Sequence, residues 1–372
     1  MASPLSGLLV LDFSTLLPGP MATLMLAEAG AEVVKIERPP GGDDMRAYKP
    51  LWGQEAVNFA ILNRGKKSLA LDLKNPADRA KLDPLIARAD IVVEQFRPGV
   101  MARLGLDYES LRARNPGVIY CAITGYGQTG PKRDVAGHDL NYIGDAGLLS
   151  LSHGDPANAV IPPALIADLA AGAYPAFMNI LLAVIERGRS GQGAYLDVAM
   201  TDNLFPFMYW ALGNGLGVGQ WPGNGADLVT GGTPRYQLYP TADGRLVAAA
   251  PIEQKFWENF CAIIGLEAAL IDDTRDPATT KARIRERIAA QSSDHWRAAF
   301  AGQDCCCSIV ATLREALDDP QFAARGLFDR TVQNEAGATI PALPTSVLPQ
   351  FRTERDTAGP PALGAHNTEL LG

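Results

Sequence analysis

The chain has 372 residues, 47% of them hydrophobic and 20% charged, a balance that excludes a disordered tail and a coiled coil. At roughly 150 residues per domain, that length predicts two domains or one large domain with an appendage. Lys plus Arg number 33 against 41 Asp plus Glu, a net charge of −8, which speaks against nucleic acid or an anionic membrane surface as partner and requires local cations for any anionic ligand.

The start, Met1-Ala2-Ser3-Pro4-Leu5-Ser6-Gly7, has no basic segment before its apolar run, so no leader is expected. No stretch reaches roughly 20 apolar residues free of Gly, Pro, Asn or charge, so no membrane span is expected either. Residues 8–14, 31–37, 68–73, 90–96 and 118–124 are short, β-branched and nearly continuous in apolar character, as strands of a sheet buried on both faces require. Between the first two lies PGPMATLMLAEAG, with Pro18 and Pro20 suited to a helix start and Gly30 to its stop. This predicts a βαβ unit opening a parallel sheet.

Gly125-Tyr126-Gly127-Gln128-Thr129-Gly130 matches G-x-G-x-x-G after a strand, but Pro131-Lys132-Arg133-Asp134 follows where an apolar helix should begin. A glycine turn is therefore expected rather than a dinucleotide site. From Ala164 to Glu186 the pattern is long, helical and apolar on nearly every side, which predicts a buried helix. A short strand (194–200) and an apolar helix come next. The glycine-rich residues 213–225 lack an amphipathic period, and the whole of 191–224 is expected to be a linker.

Residues 233–251 predict a hairpin turning at Asp243-Gly244, followed by a helix ending near Gly265, within a small α+β domain over 225–325. The tail, 326–372, has little period and is expected to complete the large domain of residues 1–190. The five cysteines (Cys121, Cys261, Cys305, Cys306 and Cys307) have neither a disulfide framework's count nor metal-ligand spacing, which points to free thiols in a cytoplasmic setting.

None of the four histidines pairs with another at one helical turn, so no metal site is expected. His138, in Ala136-Gly137-His138-Asp139, lies just before a helical run; it is either a cap or surface residue, or an imidazole beside a free backbone N–H. Asp168 falls within an apolar run, where burial would raise its pKa towards acid–base use, unless it merely caps the helix. Glu253 reads as a first-turn carboxylate. Arg38, Arg64, Lys66, Lys67 and Arg97 cluster at strand ends. Ligands bind at the carboxyl ends of open α/β sheets, so Arg38 and Arg97 are candidates to share one phosphate-holding mouth, against the alternative of solvated surface cations.

Three long stretches then carry a resemblance: LSGLLVLDFSTLLPGPMATLMLAEAGAEVVKIERPPGGDDMR, NRGKKSLALDLKNP, and DIVVEQFRPGVMARLGLDYESLRARNPGVIYCAITGYGQTGP. Together they resemble the family III CoA-transferase superfamily over nearly the whole chain. AGHDLNYIGDAGLLSL, PPALIADLAAG and GGTPRYQLYPTADGRLVAAAPIEQKFW are most similar to its alpha-methylacyl-CoA racemase branch. The resemblance implies a doubly wound, Rossmann-like α/β large domain, a smaller α+β domain, and two chains interlocked as a homodimer. It implies that His138 and Asp168 are the acid–base pair, that Glu253 orients His138, and that the Asp139 amide faces the thioester oxygen. It also implies that Arg38 and Arg97, with Arg64 and Lys66 of the NRGKK segment, meet the phosphates of CoA, and that Tyr126 and Gly137 complete that set. CoA enters as part of the substrate, and no separate cofactor is expected. Two further functions stay open: CoA transfer through an anhydride at Asp168, and non-catalytic acyl-CoA binding.

Overall fold

A computed structural model describes residues 3–354 and 357–372. Met1 and Ala2 of the start expected to carry no leader, and Arg355 and Asp356 of the predicted tail, lie outside the described residues. The chain divides into two units: the chain up to Ala146 with Pro163–Pro206 and Ala323–Gly372, and Gly147–Pro162 with Phe207–Phe322.

In the first unit six strands form one sheet: β1 (Leu9–Asp12), β2 (Glu32–Glu37), β3 (Lys67–Ala70), β4 (Ile91–Glu94), β5 (Ile119–Thr124) and β6 (Ala194–Ala199). Every pairing is parallel, and the spatial order is β6-β5-β4-β1-β2-β3. This is the doubly wound arrangement, with its reversal of strand order between β1 and β4. Leu9, Leu11, Val34, Ile36, Leu69 and Val92 pack one face against Leu82, Leu85, Ile86, Met101 and Leu111. Helix α1 (Pro18–Glu28) contacts β1, β2 and β4, and it packs against the long helix that contacts β5 and β6 on that side. Burying each such aliphatic side chain contributes about 1.5–3 kcal/mol, which is why the central strands are mostly apolar.

Two expectations are corrected here. The 191–224 segment is not a linker: β6 forms the sheet edge, and Tyr209–Val218 is a helix despite three glycines. Gly215 leaves room for the Trp221 indole, which a Cβ there would meet at 2.3 Å. The apolar run Ile166–Ser190 is long and apolar enough to cross a membrane by length and composition. It is not buried all round: Pro175, Ala176, Ile180 and Ala183 face inward, while Met178, Leu182 and Ile185, spaced 4 and 3 apart, form an exposed apolar stripe.

The C-terminal segment docks on the first unit at the β3 edge. Asn367 accepts from the Ala70 amide at 2.9 Å, and Glu369 meets Lys67 at 2.6 Å. The second unit has a three-stranded antiparallel sheet, β7 (Gln237–Pro240), β8 (Leu246–Ala249) and β9 (Cys307–Ile309), in that order. Its turn holds Gly244 at φ 76°, as the Asp-Gly pair predicted. Trp257, Phe260, Ile284, Ile288, Trp296 and Phe300 build its core from three amphipathic helices.

Candidate active site

After β5 the chain turns through Gly127 and Gly130, both at positive φ, and runs without a helix until Asp139–Asp145, here α2. The G-x-G-x-x-G match is thus a glycine turn, with no helix N-terminus in the register a pyrophosphate needs. Tyr142 of α2 organises the region. Its ring meets Tyr126 edge-on at 5.3 Å, and its hydroxyl donates to the Gly137 carbonyl. A Cβ on Gly125 would come within 2.3 Å of that ring and one on Gly137 within 2.7 Å, so both glycines serve close packing. Tyr126 donates to Asp145 at 2.8 Å.

His138 sits at the N-cap of α2 in extended conformation, its side chain exposed. The Asn141 side chain accepts from its N–H at 3.0 Å, and its carbonyl accepts from the amides of Asn141 and Tyr142. The backbone of the imidazole-bearing residue is therefore held on both sides.

Asp168 lies in the first turn of a wide, π-helical segment, Ile166–Ala173, that continues into α3 (Tyr174–Ser190). Such wide turns are frequent at functional sites. Its backbone N–H donates to the buried Asp139 carboxylate at 2.9 Å, which joins the His138 turn to the Asp168 turn. Burial pushes the Asp168 carboxyl up to about 6, the Asp139 charge adds to the rise, and His138 partly offsets it. Burial and the Asp168 charge also raise the Tyr142 phenol, while Arg97 opposes them. Arg97 is thus within electrostatic reach of the same site.

A cleft of about 860 Å³ opens at the carboxyl ends of β1 to β4, where the strand order reverses. Arg38, Lys74 and Arg103 are exposed at its wall, over apolar surface from Leu71 and Phe96. Of the six residues predicted to hold CoA only Arg38 lines it, and three of the four predicted cations are elsewhere. Arg97 lines a separate cavity of about 270 Å³, because the turn at 97–103 presents Arg97 and Arg103 to different cavities. Arg64 is buried against Glu28 and donates to the Leu343 carbonyl at 2.7 Å. Lys66 is fully buried, 3.3 Å from Asp12, and also donates to Pro20, Thr23 and Asn63. Lys66 spends its donors inside the fold, and Arg64 borders a different cavity of about 340 Å³ beside Lys67 and Arg330, so neither lines the cleft. Tyr126 and Gly137 belong to the His138 region and not to the cleft.

The family model for CoA-transferase family III matches residues 5–367. The chain belongs to this family. Among family III relatives it is 35% identical to the succinate–glutarate CoA-transferase of Agrobacterium fabrum, over 99% of this chain and 95% of that one. It is 32% identical to the alpha-methylacyl-CoA racemase of Homo sapiens, over 99% and 92%. A CaiB/BaiF family protein from Brucella suis superposes with a TM-score of 0.83 at 29% identity, covering 100% of this chain and 99% of that chain. Family III membership thus covers a transferase and a racemase at similar distance, so the choice between them falls to the residues of the site.

Two cations of the cleft, Lys74 and Arg103, escaped sequence reasoning. The signal was available: each stands within ten residues after a strand's carboxyl end, as Arg38 does. Glu253 is the exposed N-cap residue of the helix Gln254–Ile264 in the second unit, one position ahead of the expected first turn and beside the helix end whose dipole favours a carboxylate.

Proposed function

We propose that the chain is an isomerase of the alpha-methylacyl-CoA racemase type, interconverting the 2R and 2S epimers of 2-methylacyl-CoA thioesters. The observation that carries this reading is the Asp139 link between His138 and Asp168. It brings together an imidazole and a carboxyl raised to about 6. Imidazole and carboxyl are both side-chain types used as general acid and base.

Inversion beside a thioester proceeds in two proton transfers. One group removes the α-proton, and the electron pair moves onto the thioester oxygen as an enolate. The other group, protonated beforehand, returns a proton to the opposite face, leaving one proton shifted between the two side chains. The Asp139 N–H, which has no partner within α2 at the first turn, is the donor assigned to the enolate oxygen. This chemistry calls for no metal and no redox cofactor. Arg38, Lys74 and Arg103 take the CoA phosphates, with Leu71 and Phe96 beneath the nucleotide. The same reading takes the working protein as a homodimer, with the stripe of Met178, Leu182 and Ile185 among the surfaces it covers.

A second reading has one observation in its favour, the full-length similarity to the Agrobacterium transferase. In it the Asp168 carboxylate attacks the acyl carbon, a mixed anhydride forms, and CoA leaves as its thiolate for later transfer to another acid. His138 has no task there. Incubating one enantiomer of a 2-methylacyl-CoA in deuterium oxide separates the two. The racemase reading expects loss of chirality with one deuterium at the α-carbon, and a fall of about 10²–10⁴-fold in His138→Ala and in Asp168→Ala with acyl-CoA binding retained. Acyl exchange onto a free carboxylate without α-deuterium overturns it in favour of transfer. Binding with neither reaction leaves a non-catalytic acyl-CoA protein.

A further inference from the structure

The first-turn amides of a helix have no partner within it and need one from elsewhere. At Asp168 that partner comes from a residue 29 positions earlier in the chain, the Asp139 carboxylate, itself only 5% exposed. The Asp168 amide is the one hydrogen-bond partner of the Asp139 side chain among the described residues. A buried carboxylate held by a single amide is an expensive way to cap a helix, since an asparagine or serine oxygen would serve without burying a charge. The negative charge itself therefore calls for a reason, and its neighbour supplies one: two close carboxylates, Asp139 buried and Asp168 half-buried, disfavour the ionised form of each other.

We propose that Asp139 is the positioning residue of this site, its carboxylate locking the Asp168 turn against the His138 turn while its charge keeps Asp168 able to carry a proton. The inference rests on Asp168 being one of the two proton carriers. The groups facing Asp168 are Asp139 and Tyr142 of α2 and His138 at its cap, with Arg97 reaching Tyr142 from the turn after β4. Of these, Asp139 alone combines a charge of the same sign with a hydrogen bond to the Asp168 backbone. Geometry and charge can be separated by substitution. In Asp139→Asn the amide oxygen still accepts and the charge is gone; in Asp139→Ala both are gone.

The test uses the full-length protein and two readouts that need no turnover. Hydrogen exchange at the Asp168 amide reports the lock. Titration of the Asp168 carboxyl by NMR of ¹³C-aspartate-labelled protein, its signal identified by its loss in Asp168→Asn, reports the charge effect. In Asp139→Asn the amide stays protected and the Asp168 midpoint falls from about 6 towards the ordinary carboxylate value, and the acidic limb of α-proton exchange moves down with it. In Asp139→Ala the amide loses protection by about tenfold or more. Turnover there falls by about 10²-fold, as expected for a displaced proton carrier, with KM for acyl-CoA within about twofold. A midpoint that stays at about 6 in Asp139→Asn overturns the charge role, and a protected amide in Asp139→Ala overturns the lock. A wild-type protein that exchanges no α-proton sinks the racemase reading instead, while both NMR readouts still decide what Asp139 does to Asp168.

Discussion

Two groups of buried charge in the first unit are built on opposite plans. Beneath the carboxyl end of β1, Asp12 and Lys66 lie 3.3 Å apart and Lys35 and Asp43 2.9 Å apart, all four side chains fully buried. Burial would raise the Asp12 carboxyl, but the Lys66 and Lys35 ammonium groups outweigh it and hold the group below its ordinary value. At the His138 turn a buried carboxylate, Asp139, and a half-buried one, Asp168, meet one exposed imidazole, and Asp168 moves the other way. The opposite charges hold Asp12 ionised, although burial brings Lys66 down to about 8, and their contacts make structure. Like charges with an incomplete partner sit between states, which proton transfer requires.

The largest effect that would break this comparison lies at Lys66. Asp12 keeps Lys35 as a neighbour but loses its direct partner in Lys66→Met, and removing one member of a buried pair costs about 3–5 kcal/mol. Chemical unfolding should show that loss, and the protein that remains folded should bind acyl-CoA with unchanged KM. A raised KM with an unchanged unfolding midpoint would return Lys66 to the phosphate set and erase the distinction between the two groups.

Asp168 sharpens the comparison through pH. Its folded pKa, about 6, lies above the ordinary value of 3.8, so between those two pH values the native state binds more protons than the unfolded chain. Stability contributed by this group is therefore greatest below about 4 and is lost as pH rises through 6. Asp168→Asn carries no such penalty. Its unfolding free energy should match wild type near pH 4 and exceed it by about 1–3 kcal/mol at pH 7. An advantage that is the same at both pH values would mean that Asp168 is solvated like any surface carboxylate.

The sheet was legible because strands buried on both faces cannot alternate polar with apolar residues, and α1 because Pro18 and Gly30 punctuate it. The hairpin followed from Asp243-Gly244. What local pattern does not contain is the partner of a charge. Lys66 and Arg64 look like any basic pair ahead of a strand; their burial depends on Asp12 and Glu28, 54 and 36 residues away. The Asp139 link to Asp168 is hidden for the same reason, although both residues were singled out. Glycines misled in another way at Tyr209–Val218, where absence of side chains makes room for Trp221 and does not break the helix.

The smallest expected effect concerns the exposed cations. Arg38, Lys74 and Arg103 stand at the cleft in contact with water, so each contributes as a screened charge, in contrast to Lys66. Arg38→Ala should raise KM for a 2-methylacyl-CoA by about tenfold at low salt and less at high salt, with kcat unchanged, because a phosphate contact far from the α-carbon binds ground and transition states equally. The same variant should be indifferent when the substrate is shortened to an acyl-pantetheine thioester that has no phosphates. If the short substrate is affected as strongly as the long one, Arg38 acts on the fold or on the acyl end, and the cleft loses its assignment as the phosphate site. Stability offers the complementary reading: an exposed cation without a buried partner should leave the unfolding midpoint where it was, which Lys66→Met cannot do.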